Sequence, residues 1–205
     1  GLGGRGDVRE QPAVNWQITV YDGPEVPGWM SHSTMYQIFP DRYCNGNADG
    51  EVYHVPKGGL LHAHWNDVPY YVRDKDGSVV HWDFFGGNLQ GVLRHLDDLA
   101  ELGVNVLYFN PLFEAASNHK YDTGDYRRID PMFGTVEDFE LLVEEAHERG
   151  IRIILDGVFS HTGSDSRYFN REGHYDEVGA YQSPDSPYAS WYQFTHFPDQ
   201  YDCWW

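Results

Sequence analysis

The chain has 205 residues, of which 40% are hydrophobic and 16% aromatic, enough to bury a substantial core. Its formal net charge of −18 argues against nucleic acid or an anionic membrane as partner, because both carry negative phosphates. The sequence has no apolar run long enough to span a bilayer and no signal-peptide pattern, and it starts at Gly1 rather than Met. We therefore expect an upstream portion, and the sequence favours neither a cytoplasmic nor a secreted location.

The N-terminal residues have the composition of a connector. Glycines and prolines surround one strand-like patch at residues 16–21, so residues 1–31 are predicted to be a linker from an upstream domain. A short apolar run at residues 35–39 follows, and Pro40 ends it. We interpret this run as the first strand of a sheet.

Two helices and two further strands alternate after it. Asn88 is a good N-cap for a helix that ends at Gly103, and residues 104–109 form the next strand. Thr135 and Asp138 predict a capping-box-like start for a second helix, which Gly150 ends before a strand at residues 151–155. The helix faces are predicted to be apolar at Leu89, Val92, Leu93, Leu96, Leu99 and Leu102, and at Phe139, Leu142, Val143 and Ala146. This βαβαβ order predicts a parallel sheet covered by helices.

Polar residues follow the third predicted strand. Asp156 lies at its carboxyl end, and His161 comes five residues later. In a barrel of parallel strands that end carries the substrate site, so a carboxylate there indicates chemistry more than capping. A histidine in isolation is more often packed or solvated, but the position of His161 after Asp156 favours function.

Three irregular segments, 41–87, 110–134 and 162–205, are too long for simple turns, and loops of that length are typical of functional regions. His62 and His64 lack a third spaced ligand, so solvated loop histidines are favoured over a transition-metal pair. The last segment is rich in aromatic residues, for which two roles are open: lining a substrate groove or packing a small core, with the core slightly favoured. These residues are Tyr188, Trp191, Tyr192, Trp204 and Trp205.

Four motifs occur in one order along the chain. They are Tyr-Gln-Ile-Phe-Pro-Asp-Arg-Tyr at 36–43, Ser-Asn-His-Lys-Tyr-Asp-Thr-Gly-Asp-Tyr at 117–126, Ile-Asp-Pro-Met-Phe-Gly-Thr at 129–135, and Asp-Gly-Val-Phe-Ser-His at 156–161. With these motifs, the chain resembles the N-terminal part of the catalytic barrel of the α-amylase superfamily, glycoside hydrolase family 13. The neopullulanase, cyclomaltodextrinase and maltogenic amylase branch is the most similar. The resemblance implies an α/β fold, the first three strands of a TIM (β/α)8 barrel over residues 32–161, and a domain B-like excursion over residues 162–205.

The resemblance also implies roles for five residues of this sequence. Asp156 would orient an arginine near the catalytic nucleophile, and His161 would hydrogen-bond a hydroxyl of the sugar next to the scissile bond. Tyr121 would stack on that sugar ring, flanked by His119 and Asp122. A planar ring offers an apolar platform to a sugar face, whereas histidine and carboxylate groups fix its hydroxyls.

The loop after the first strand carries a candidate calcium site. Asn45, Asn47 and Asp49 alternate there and offer oxygen ligands on a turn, the donors that calcium prefers. Asn and Asp are also ordinary turn residues, and on the residues alone that interpretation is favoured. The resemblance implies calcium, with a backbone oxygen of Gly86 and the side chain of Asn88 completing the shell.

The activity implied by the resemblance is that of a retaining hydrolase or transglycosylase of α-linked glucans such as starch. Hydrolysis needs two carboxylates across the bond, and the resemblance places them on strands four and five, which this chain does not reach. We therefore expect the isolated chain to be inactive and the full-length protein to be active, with a homodimer as a further expectation. Ser160 departs from the asparagine that binds a second calcium in typical α-amylases, which puts that second site in doubt.

Two other classes of protein compete with this interpretation. A non-catalytic carbohydrate-binding or scaffolding protein on a degenerate barrel is the main alternative. A dehydrogenase or phosphoryl-transfer domain is disfavoured, because no glycine-rich phosphate loop links a strand to its helix.

Overall fold

The structure, a computed structural model, describes residues 26–202, which belong to two units divided between His32 and Ser33. In the first unit, the described residues contain one 3-10 turn, Met30–His32, and the Ser31 hydroxyl donates to the Gly28 carbonyl at 3.0 Å. The strand predicted at residues 16–21 lies outside the described residues. No helix among residues 26–202 is both long and apolar enough to cross a membrane.

In the second unit, residues 33–202 form short strands and three α-helices. The helices are α1 (Leu89–Arg94), α2 (Leu96–Glu101) and α3 (Val136–Glu148). The strands are β1 (Met35–Ile38), β2 (Leu60–Leu61), β3 (Val72–Arg73), β4 (Val79–His81), β5 (Asp83–Phe84), β6 (Val106–Phe109), β7 (Phe113–Ala115), β8 (Thr123–Ile129), β9 (Arg152–Leu155), β10 (Phe194–His196) and β11 (Gln200–Tyr201).

A parallel sheet of three strands in the order β1, β6, β9 forms the centre of this unit. The register pairs Tyr36 with Leu107 and Leu107 with Ile153, so the carboxyl ends of all three strands lie at one edge. Helices α1 and α2 connect β1 to β6, and α3 connects β6 to β9. The predicted βαβαβ chain is therefore present with its strands in parallel.

The helix termini follow the local sequence. The Asn88 side chain accepts a hydrogen bond from the Gly91 amide at 2.9 Å and caps α1. Thr135 and Asp138 form a reciprocal capping box at the start of α3, as predicted. Gly150 has φ +72°, a conformation that glycine adopts at low cost after a helix.

The first predicted helix is not continuous. It breaks at His95, whose amide bonds the Val92 carbonyl at 3.0 Å in a tighter turn before α2 begins. Because α2 ends at Glu101, Leu102 lies in the following turn and is 69% exposed, contrary to its predicted place on the apolar face.

One apolar core lies between the sheet and the helices, and it also includes side chains of the long loops. Its buried members are Ile38, Phe84, Leu89, Val92, Leu96, Leu99, Val104, Leu107, Phe109, Leu112, Met132, Phe133, Leu142, Ala146 and Ile151. The segments predicted as irregular contain short pairings: β2 with β5, β3 with β4, β7 with β8, and β10 with β11. The β7–β8 pair is closed by Ala115 opposite Thr123, and the seven residues between them form the loop that carries most of the candidate site.

Candidate active site

The five predicted site residues lie in two neighbouring segments. Three of them, His119, Tyr121 and Asp122, belong to the loop between β7 and β8. Asp156 follows β9 directly, and its amide bonds the Phe109 carbonyl of β6 at 3.1 Å. His161 lies in the segment after Asp156. Hydrogen bonds join the two segments, so the structure brings residues 35 or more positions apart in sequence into one cluster.

The Asp156 carboxylate is held by two tyrosines. The Tyr121 hydroxyl donates to Asp156 Oδ2 at 2.7 Å, and the Tyr108 hydroxyl also bonds this carboxylate. Burial, followed by the bond to Asp156, raises the pKa of Tyr121 to about 12. The bond to Asp156 is also the main cause of the raised pKa of Tyr108. Both hydroxyls therefore stay protonated at neutral pH and donate to Asp156.

The β7–β8 loop is braced by hydrogen bonds from within itself. The Ser117 hydroxyl donates to Asp122, and the Ser117 amide bonds Asp122 Oδ2 at 3.1 Å. The Tyr121 amide donates to His119 Nδ1 at 3.1 Å, which places the neutral ring's proton on Nε2. Burial is the main cause of the lowered pKa of His119. The Asp122 carboxylate raises this pKa and the Lys120 cation lowers it, and the net shift is downward. His119 is therefore a neutral imidazole with an Nε2–H donor.

His161 is tied to the same loop from the other side. Its Nε2 donates to the Tyr121 carbonyl at 3.1 Å, and its Nδ1 lies 3.0 Å from the Ser160 hydroxyl. Tyr126 supports the segment that contains His161, since its hydroxyl donates to the His161 carbonyl at 2.8 Å and to the Val158 carbonyl. A substrate hydroxyl would therefore have to replace one of these partners to reach the imidazole.

A cavity of about 1050 Å³ opens beside the cluster. Asp122 and His161 line it, whereas Tyr121, His119 and Asp156 are connected to it through their hydrogen bonds. Aromatic rings form much of its wall, including Tyr126, Phe159, Phe169, Trp191 and Tyr192. An aromatic, half-open cavity next to fixed polar groups has the character of a small-ligand site.

The rings of the excursion divide between the two predicted roles. Trp191 lines the cavity and is 58% exposed, with one face stacked on Tyr168 at 5.1 Å. Tyr192 lines the cavity and also packs on buried Phe169, at 4.8 Å between centroids. The slight preference for a core role was therefore wrong for Trp191, because Tyr168 beneath it fills the interior position. Trp204 and Trp205 lie outside the described residues.

The predicted calcium ligands are only partly brought together. Asn45 Nδ2 donates to the carbonyls of Gly50 and Glu51 at 3.0 and 3.2 Å, and Asn47 Nδ2 donates to the Glu51 carbonyl at 2.7 Å. Asn88 Nδ2 lies 3.3 Å from Asn45 Oδ1. Asn45 and Asn47 thus converge on the Glu51 carbonyl, and backbone carbonyls of this kind are oxygens that calcium binds. The Asn88 Oδ1 instead accepts from the Gly46 and Gly91 amides at 2.9 Å.

The other two predicted ligands have different partners. Asp49 accepts from the Glu51 amide at 3.0 Å and from the Tyr53 hydroxyl, and these bonds lower the pKa of its carboxyl group. The Gly86 amide donates to Asp41 at 3.0 Å. Among residues 26–202, no three His, Cys, Asp or Glu side chains cluster as metal ligands. The oxygen donors that fit a cation are therefore amide and backbone groups.

His62 differs from the solvated loop histidine expected from its sequence. It stacks on Phe85 with 4.1 Å between ring centroids, and its Nε2 lies 2.8 Å from Asp83 Oδ2. Because Asp83 is buried, the hydrogen bond to its carboxylate and the stacking on Phe85 together hold the histidine against the protein. His64 is exposed, as predicted.

Sequence reasoning missed the residues that hold the site in place. Tyr108 bonds Asp156, Lys120 is fully buried, and Asn118 bonds Asp83. The only signal was the position of Asn118 and Lys120 on either side of His119 within one motif. Burial of a lysine cannot be read from such a pattern without knowing where its counter-charge lies.

Comparison with known proteins identifies the family. The family model described as the α-amylase catalytic domain matches residues 37–202. The chain belongs to this family. An amylopullulanase from Thermoanaerobacterium saccharolyticum is 45% identical over 222 residues, covering 100% of this chain and 17% of that protein. A cyclomaltodextrinase from a Bacillus species is 47% identical over 154 residues, covering 75% of this chain and 24% of that protein.

Solved α-amylase-family structures share the architecture. A cyclic α-maltosyl-(1→6)-maltose hydrolase from Arthrobacter globiformis superposes with a TM-score of 0.68 at 35% identity, over 86% of this chain and 36% of that one. A type III pullulan hydrolase from Thermococcus kodakarensis gives 0.67 at 32% identity, over 85% and 31%. The chain thus spans well under half the length of these proteins. The predicted fold class, part of a TIM barrel of the α-amylase family, is confirmed.

Proposed function

We propose that these residues are the substrate-positioning part of a retaining glycoside hydrolase that acts on α-glucosidic bonds of starch-derived glucans. In this proposal residues 32–161 are the first three βα units of the catalytic barrel, and residues 162–205 begin the domain B-like excursion. Family membership supports the reaction class. The observation that carries the substrate assignment is the joined cluster of Tyr121, Asp156 and His161 beside a cavity walled by aromatic rings.

Each site residue has a role that fits its environment. The Tyr121 ring stacks on a sugar face while its hydroxyl orients Asp156, which in turn orients an arginine near the nucleophile. Neutral His119 offers its Nε2–H, and Asp122 its carboxylate oxygens, to sugar hydroxyls. His161 binds a hydroxyl at the position now taken by the Ser160 hydroxyl or the Tyr121 carbonyl. The nucleophile and the acid/base come from later strands of the barrel, as the family resemblance implies.

The test is hydrolysis by the intact protein, the full-length polypeptide that contains these residues. Starch, pullulan and cyclodextrins are offered, and the anomeric configuration of the first product is read by proton NMR. We expect hydrolysis with retention, and the isolated 205-residue chain is the inactive control. Inversion, or hydrolysis by the control, would contradict the assignment of roles. Sugar binding without any hydrolysis would favour the non-catalytic carbohydrate-binding alternative.

We also propose that the loop at residues 45–51 binds a structural calcium ion. The convergence of Asn45 and Asn47 on the Gly50 and Glu51 carbonyls supports this, because exchanging amide nitrogen for oxygen turns these two side chains into ligands. The resemblance adds Asn88, whose Oδ1 accepts from the Gly46 and Gly91 amides at 2.9 Å. Asp49 lies on the same turn and would add negative charge, and the resemblance adds a backbone oxygen of Gly86. A bound calcium ion would stabilise the loop.

A thermal melt of the intact protein tests this site. Calcium at about 100 times its Kd should stabilise the fold by about 2.7 kcal/mol, which a chelator removes. The variant Asp49→Ala should lose most of this shift. Asp76→Ala is the matched control, since Asp76 accepts a similar bond from the amide two residues on, in an exposed turn elsewhere. A melting temperature that does not respond to calcium would refute the proposal.

A homodimer of the intact protein completes the proposal. It rests on the resemblance to the neopullulanase and maltogenic amylase branch alone. Light scattering during size-exclusion chromatography should give twice the monomer mass, and a monomer at every concentration tested would contradict it.

A further inference from the structure

Side chains along residues 118–121 alternate between the protein interior and the candidate site. Asn118 is 2% exposed and Lys120 is 0% exposed, whereas His119 and Tyr121 are half-buried and take part in the site's hydrogen bonds. Because these residues are consecutive, whatever holds Asn118 and Lys120 inside also sets the direction of His119 and Tyr121.

Lys120 is held by Asp130, the residue after β8. Its Nζ lies 2.6 Å from Asp130 Oδ2 and donates to the Ala115 carbonyl at 2.9 Å. The ammonium group lies 5.5 Å from the ring centroid of Phe84 and 5.4 Å from that of Phe133. The Lys120 backbone has φ +61°, a strained conformation for a non-glycine residue that persists only when its surroundings enforce it. The surroundings that hold it include the buried ion pair and the hydrogen bond from the Lys120 amide to the Ser117 hydroxyl at 3.0 Å.

Asn118 is held by Asp83 at the end of the first long loop. Its Nδ2 donates to the Asp83 carbonyl at 2.9 Å and to Oδ1 at 3.0 Å. The same carboxylate bonds Arg42 at 2.9 Å and His62 at 2.8 Å, so it is fixed from the opposite side. Next to it, Trp82 meets the His119 ring edge to face at 4.8 Å. The long loop therefore contacts His119 directly and holds its neighbour.

A buried ion pair by itself is weak support for stability, because removing two charges from water costs about as much as their attraction returns. Apolar residues of similar size would fill the space of Lys120 and Asp130 at least as well. Unlike apolar packing, the ion pair fixes the direction of the Lys120 side chain, because its ammonium group must reach both the Asp130 carboxylate and the Ala115 carbonyl. That geometry is imposed on the residue between His119 and Tyr121.

We propose that Asp130 and Asp83 are positioning residues for substrate binding, which clamp Lys120 and Asn118 so that His119 and Tyr121 face the sugar. This inference rests on the proposed function. Neither carboxylate touches the substrate, and both act through the loop between β7 and β8.

The test is the double variant Lys120→Met with Asp130→Asn in the intact protein, which removes both charges and leaves neither unpaired. The matched control is Arg149→Met with Asp97→Asn, a more exposed ion pair of the same 2.6 Å length between the residue that follows α3 and a residue of α2. Steady-state kinetics on maltohexaose should show kcat/KM about 100-fold lower for the buried pair, mainly through KM, as for displaced binding groups. Lys120→Arg with native Asp130 should recover part of this loss, and Asn118→Ala should lower kcat/KM in the same direction.

Hydrogen exchange followed by mass spectrometry provides a readout that is independent of activity. In the double variant, peptides covering residues 117–122 should exchange faster while the peptides of α3 keep the wild-type rate. A folded double variant with wild-type exchange in this loop, or with kcat/KM within twofold of the control pair, would refute the positioning role. Absence of hydrolysis by the wild type would instead count against the proposed function, and the exchange rates would still decide whether the ion pair orders the loop.

Discussion

Removal of one oxygen atom from Tyr121 separates its two proposed roles. Tyr121→Phe keeps the ring that would stack on a sugar and removes the hydroxyl that donates to Asp156 at 2.7 Å. A hydrogen bond to a charged group contributes about 1.5–3 kcal/mol. Because the Tyr108 hydroxyl still holds Asp156, the lower value applies, and kcat should fall about tenfold with KM nearly unchanged. Tyr121→Ala also loses the ring, so KM should rise as well.

The assay is steady-state hydrolysis of a maltooligosaccharide by the intact protein. Tyr181→Phe is the matched control, because its hydroxyl donates to Asp199 at the same 2.7 Å, away from the cluster. That variant should keep wild-type kcat and KM. If Tyr121→Phe also keeps both values while the wild type is active, the bond to Asp156 has no part in the reaction.

Two further predictions concern stability, read from thermal melts of the intact protein. Leu142→Ala should destabilise the protein by about 2–5 kcal/mol, because the Leu142 side chain is fully buried. The control Leu141→Ala should cost less than about 1 kcal/mol, because Leu141 is 41% exposed. Equal losses of stability in the two variants would contradict this account of α3. Burial, with Asp122 and Glu172 nearby, raises the pKa of Asp165 from 3.8 to about 6, so this group contributes stability at low pH that is lost as the pH rises through 6. Asp165→Asn should therefore be more stable than wild type at pH 7, by on the order of 2 kcal/mol, and equal to it near pH 4. An unchanged difference across that range would refute the raised pKa.

Regular elements were predictable where local rules suffice. The three strands, the cap at Asn88 and the capping box at Thr135 depend on residues close in sequence, and all are present. The break at His95 was missed because the apolar period continues through it. The pairing of β7 with β8 was also missed, since β7 has only three residues and the register of the pair shifts twice.

The candidate site was predictable as a set of residues but not as an arrangement. The motifs identified Tyr121, Asp156 and His161 through resemblance, and the structure brings them within hydrogen-bond distance. Their order along the chain did not reveal that His161 bonds a backbone carbonyl of the Tyr121 segment. Likewise, the alternation of asparagine and aspartate suggested a cation loop, but only the folded loop shows that Asp49 turns to Tyr53.

The sequence by itself determined the family, the parallel βαβαβ order and the identity of the side chains at the sheet's carboxyl edge, because these depend on local pattern and motif. Tertiary structure alone decided which of those side chains are fixed and by what. Lys120 is charged and would be expected at the surface, yet it is buried because Asp130, ten positions later, folds back beneath it. A charge can enter the interior only opposite its partner, and the position of that partner is a property of the fold.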